Sequence, residues 1–197
     1  MASEFCCDPL SRKEIRSLAN NIRKRFNIPF DEPFPVVEFL EMLPEIFEKS
    51  AVGYEIVEND KLPQNVHAEY DAYTKTIRIK EFVYDGACMG NGRDLMTILH
   101  EIAHFLLLSI MGVKFYRVFS KKVQPYNDPE WQAKCLAGEL MMPAQEIRGM
   151  TSKEISKKYK VSLPAAQYQL SKYSDVFSAI SAENKKSQAK AWQPLLR

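Results

Sequence analysis

The chain has no apolar run long enough to span a bilayer, so no helical membrane anchor is expected. It has only four cysteines, and Cys6, Cys7, Cys88 and Cys135 lack the paired spacing of a zinc site. Neighbours such as Cys6 and Cys7 do not form an ordinary structural bridge, so free thiols in a reducing compartment are expected. The opening Met1 to Phe5 carries no charged-then-apolar leader, which together with the thiols points to a cytoplasmic location. The formal net charge is only +2, too small to argue for nucleic acid as a partner. No internal repeat or long low-complexity segment is visible, which excludes a solenoid. What remains is a chain of 197 residues, 46% hydrophobic, able to close one good core with a small appendage.

Histidine is scarcer still, with three in the chain, and two of them fall in His100-Glu101-Ile102-Ala103-His104. Histidines four residues apart on a helix share a face and can grip one metal ion. Glu101 between them is placed to take the proton of an attacking water, so the five residues supply two ligands and a general base. The flanks predict a helix: Leu95, Ile98, Leu99, Ile102, Phe105 and Leu106 recur at helical spacing, and Gly112 marks a stop. Single histidines on an apolar helix are ordinarily hydrogen-bonded core residues. A polar triplet in such a helix is costly to bury unless something coordinates it, and that favours a metal site.

Catalytic zinc takes three protein ligands and leaves a fourth position open, so a third ligand must come from elsewhere. The metzincin extension is absent, because Leu107 and Ile110 stand where it needs glycine and histidine. Downstream, Asp128-Pro129-Glu130 opens a helix with Asp128 as N-cap and Pro129 in the first turn. Glu130 shares a face with Ala133, Lys134 and Ala137, and the alanines allow close packing against the histidine helix. Glu139 is the rival acid. Nine residues at about 100° each turn it roughly half a turn away from Glu130. The expected ligands are therefore His100, His104 and Glu130, holding Zn2+, with Glu101 as the catalytic base. As oxyanion-stabilising groups, His67, Tyr70 and Tyr126 remain open alternatives.

These motifs, Glu130-x-x-Ala133 followed by Ala137-Gly138-Glu139-Leu140-Met141-Met142-Pro143, resemble the ImmA/IrrE family of metallo-endopeptidases. The family pattern has Asn at Lys134, Phe at Leu136 and Leu at Met141, departures that touch packing and no ligand. The likeness covers about residues 66 to 175. It implies an α+β fold, a minimal zincin-like domain with a small sheet, and a cytoplasmic protease acting in phage, mobile-element or stress-response systems. Its substrate would be a protein, a helix-turn-helix repressor or an antitoxin-like regulator, cut once. The architecture implied by this likeness also puts an edge strand, within Val66 to Ile79, where a substrate backbone can add as a further strand.

Elsewhere, the capping box Ser11-x-x-Glu14 starts a first amphipathic helix, and Pro35 starts a second that Pro44 is expected to end or kink. Extended patterns follow over 53–57, 68–70 and 76–79. Past Pro143, Thr151-x-x-Glu154 caps a short helix, Val161-Ser162 turns, and Ala165, Ala166, Gln169 and Leu170 lie on another, in a helix-turn-helix-like outline. Lys153, Lys157, Lys158 and Lys160 make one side basic, yet the second helix lacks arginines for reading base edges, so direct DNA binding is not expected. The expected organisation is a peptidase domain over 8–147, a helix-pair extension over 148–180 and a basic tail over 181–197. The competing reading is a non-catalytic regulator in which the metal holds the fold and the helix pair binds a repressor or DNA.

Overall fold

The computed structural model describes residues 5–117 and 123–173; the expected tail, 181–197, lies outside them. Helix α1 (Arg12–Arg25) starts at the expected capping box, in which Ser11 Oγ accepts from the Glu14 amide and the Glu14 carboxylate accepts from the Ser11 amide. Helix α2 (Val36–Ile46) follows Pro35 and continues two residues beyond Pro44. A proline in the last turn forfeits only one intrahelical hydrogen bond, which the buried Phe39, Leu40 and Leu43 offset by anchoring the helix in the core.

The sheet is small. Strands β2 (Gly53–Val57), β3 (Ala68–Asp71) and β4 (Thr76–Lys80) lie in the order β2-β4-β3, with β2 parallel and β3 antiparallel to β4. β3 is therefore an edge, as strand addition requires. Alternation along β4 sends Ile77 and Ile79 into the core. A separate antiparallel pair joins β1 (Phe5–Cys7) to β5 (Phe115–Arg117). Helix α3 (Glu81–Cys88) leads from β4 into the histidine helix α4 (Gly92–Phe105). α4 runs on through a π-type turn over Leu106–Ile110, closed by the Met111 amide donating to the Leu106 carbonyl at 3.0 Å. Helix α5 (Pro129–Met141) packs between α1 and α4, and its Ala133, Leu136, Ala137 and Leu140 are buried with Ile98, Leu99 and Ile102 of α4 in one core.

Helix α6 (Ser152–Tyr159) begins at the second capping box, on Thr151 and Glu154, and ends where Lys160 takes the left-handed conformation. Residues 163–173 form a further helix, α7. Ile155, Tyr159, Ala166 and Tyr173 of this pair join the same buried cluster as the histidine helix. The turn between the two helices presses on the start of α4, where a Cβ on Gly92 would fall 1.9 Å from the Lys160 carbonyl oxygen. That obstacle is backbone on both sides and cannot rotate away. Gly92→Ala is accordingly expected to cost about 1–3 kcal/mol, the range of core overpacking, read as a lowered midpoint in urea denaturation. All four cysteines are free, and burial pushes the Cys7 and Cys135 thiols up to about 12. Among the described residues no helix is long and apolar enough to cross a membrane.

Candidate functional site

Helical spacing puts His100 and His104 one turn apart on α4, with their rings nearly perpendicular and their Nε2 atoms 3.1 Å apart. Glu130 reaches them from the first turn of α5, whose N-cap, Asp128, accepts from the Glu130 amide at 3.0 Å. One Glu130 oxygen lies 3.3 Å from His100 Nε2, and the other lies 3.3 Å from His104 Nε2. Hydrogen bonds to both imidazoles hold the Glu130 carboxyl well below the usual carboxylate range, against the effect of burial. A tetrahedral zinc with bonds of about 2.0–2.1 Å keeps its ligand atoms roughly 3.3 Å apart. The three donors already stand at that spacing, and two imidazoles with one carboxylate is a ligand set of catalytic zinc. The residues present fit the ion.

Glu139, the rival acid, lies in a different part of the molecule. It is 1% exposed and bound by Arg12 Nη1 at 3.2 Å, Arg16 Nε at 3.1 Å and the Tyr173 hydroxyl at 2.5 Å. The half-turn between the two acids on α5 thus separates a carboxylate facing the histidines from one facing α1 and α7.

Glu101 is 9% exposed and lies on the side of α4 that meets the sheet. Its Oε2 accepts from the Tyr70 backbone amide of the edge strand at 2.8 Å. Burial pushes the Glu101 carboxyl above its ordinary value, while the adjacent imidazoles and the Tyr70 amide pull the other way. The residue thus combines a fixed position with a raised proton affinity, two properties of a general base.

None of the three oxyanion candidates lines the cavity next to His100 and Glu101. The Tyr70 hydroxyl pairs with Ser109 Oγ at 2.8 Å, the His67 ring packs edge-on against Phe82 at 5.3 Å, and Tyr126 borders another hollow with Pro9 and Trp131. Tyr70 contributes through its backbone instead, for which its side chain gives no sequence signal. Also unforeseen is the cavity itself. It has a volume of about 760 Å³ and extends from His100 and Glu101, between α4 and α5, to the first half of α7.

A small mixed sheet, a histidine helix across it and a second helix delivering a carboxylate define a minimal zincin-like α+β domain. The Peptidase_M78 family, described as IrrE N-terminal-like domain, matches residues 50–171, more than half of the sequence, and the chain belongs to that family of zinc metallopeptidases. Nothing among curated proteins matches it. Among solved structures it is similar to a Mycobacterium tuberculosis transcriptional regulator, with a TM-score of 0.54 and 14% identity, over 81% of this chain and 46% of that one. The chain thus spans less than half of that protein, and at such identity the likeness is one of fold.

Proposed function

We propose that the chain is a zinc endopeptidase that cuts a regulatory protein, a helix-turn-helix repressor or an antitoxin-like partner. The observation that carries this reading is the meeting of His100, His104 and Glu130, at 3.1–3.3 Å between donor atoms, next to a buried Glu101 anchored by the edge strand. In this reading His100, His104 and Glu130 hold the ion, and no other described residues offer a comparable donor cluster. Zinc, when bound, supplies Lewis acidity toward the scissile carbonyl and lowers the pKa of water. Glu101 takes the proton of the attacking water and returns it to the leaving amine nitrogen. The Tyr70 amide keeps one Glu101 oxygen occupied, which leaves the other for the proton. The outer edge of β3, apart from the Tyr70 amide that Glu101 holds, receives the substrate backbone as an added strand, alongside the base.

The family and the protein substrates it suggests support the regulatory partner, and the free thiols support a cytoplasmic setting. The alternative, a metal-stabilised regulator that reads DNA through α6 and α7, finds less support. Ala165, Tyr168 and Gln169 of α7 border the cavity beside Glu101, and Ala166 and Tyr173 are buried.

Incubation of the purified protein with the repressor encoded by a neighbouring gene tests the proposal directly. A single cut, abolished by chelator and restored by zinc, is expected; an intact repressor under all conditions rejects the reading. The ligand assignment has its own test. Metal analysis should find one zinc per chain, none after His100→Ala or His104→Ala, and affinity lowered by Glu130→Ala. The Glu130→Ala loss should exceed the 10- to 100-fold typical of an outer-shell partner. Retention of full affinity in Glu130→Ala would remove Glu130 from the ligand set.

A further inference from the structure

We infer that the cavity between α4, α5 and α7 is a side-chain subsite that accepts a large apolar residue flanked by acidic ones. It would thereby select acidic-apolar segments of a protein substrate. The inference rests on the peptidase reading above and deepens it by naming a substrate class.

The lining is divided by chemistry. Met96, Ala137, Met142 and Ala165 give an apolar interior, in which methionines can adapt to side chains of different shape. Its volume falls within the usual range for ligand sites. The charged lining is mostly cationic. Arg93 and Lys134 are exposed, and neither forms an ion pair with a described residue. Glu101 is the one carboxylate among the lining residues, and it is buried. Two unpaired cations around a low-dielectric hollow focus a positive field on whatever enters, favouring acidic neighbours over basic ones.

The far wall is built to stay in place. Tyr168 of α7 and Trp131 of α5 both line the cavity, and the Arg12 guanidinium lies 6.0 Å from the first ring and 5.7 Å from the second. Arg12 is itself fixed by Glu139 at 3.2 Å. The Lys160 carbonyl against Gly92 fixes the other end of the helix pair. A preformed wall loses little entropy on binding, so its shape and charge translate into selectivity.

Binding can be read separately from cleavage with two fluorescein-labelled peptides of equal length, one with a central phenylalanine followed by two glutamates, the other with two lysines instead. Fluorescence anisotropy is measured on the full zinc-loaded chain carrying Glu101→Gln, so that no peptide is consumed. The acidic peptide should bind at least about five-fold more tightly, a modest gain typical of two solvent-accessible charge pairs, and high salt should erase the difference. In Arg93→Ala/Lys134→Ala the ratio should fall toward one, while Tyr168→Ala should weaken both peptides alike. Equal affinities, a preference that survives the double substitution, or no saturable binding of the acidic peptide would overturn the inference. So would a short DNA duplex that displaces the acidic peptide more effectively than its unlabelled form does. Offering the same peptides to the unsubstituted chain separates the two readings: charge-selective binding without cleavage removes the peptidase and leaves the subsite, whereas cleavage without charge preference does the reverse.

Discussion

Glu101→Gln should leave zinc content and melting temperature almost unchanged and lower repressor cleavage by on the order of 10² to 10⁴, the usual cost of losing a positioned general base. Shape is preserved because the amide oxygen of glutamine can still accept from the Tyr70 backbone amide, now at 2.8 Å from the carboxylate. The ligand atoms of His100, His104 and Glu130 are not altered. What disappears is the basic oxygen. Single-turnover cleavage, metal analysis and thermal melting on one preparation separate chemistry from folding. If Glu101→Gln still relieved the partner repressor in cells, at equal protein abundance and parental strength, the protease assignment would fall and the zinc would be structural.

Features encoded within one or two helical turns were legible in the sequence. The caps at Ser11, Asp128 and Thr151 all hold their side-chain bonds, because a cap needs only residues two or three places away. Helical geometry likewise puts His100 beside His104 and turns Glu130 away from Glu139. The assignment of Glu139 was not legible, since its partners Arg12 and Arg16 lie 127 and 123 residues away in sequence. Nor was the role of Tyr70, since any residue but proline could offer the amide that holds Glu101. The α7 wall escaped for a related reason: its position depends on the close approach of Gly92 to Lys160 and of Gly138 to Gln169, two contacts that no local pattern announces. The π-type turn after His104 also has no sequence signature, although Ser109 within it engages the Tyr70 hydroxyl.

The second large effect concerns stability, and it belongs to Glu139. Its carboxylate joins three helices, receiving Arg12 and Arg16 from α1 and the Tyr173 hydroxyl from α7, while Gln169 donates to the same hydroxyl at 2.9 Å. The arginine side chains are only 15% and 18% exposed, so water replaces a lost partner poorly. Glu139→Ala should cost about 3–5 kcal/mol, the range for breaking a buried pair from one side, measured by urea denaturation. Glu139→Gln keeps an acceptor for Tyr173 and should cost less, about 1–3 kcal/mol. Two mechanisms could underlie the larger loss, orphaned cations or a packing void, and a combined variant tells them apart. In Arg12→Met/Arg16→Met/Glu139→Ala no charge is left unpaired while the void at 139 remains, so most of the stability should return if orphaned charge is the cause. If the void is the cause the loss should persist in that variant, since alanine still stands at 139 while methionine replaces much of the bulk of the arginine stems. Hydrogen exchange over 163–173 gives the link to function: fast exchange in Glu139→Ala, and protection restored in the triple variant, is the expected result. Protection unchanged by Glu139→Ala would mean that α7 is held by Gly92 and the core contacts alone, and that the carboxylate cluster does not set the cavity wall.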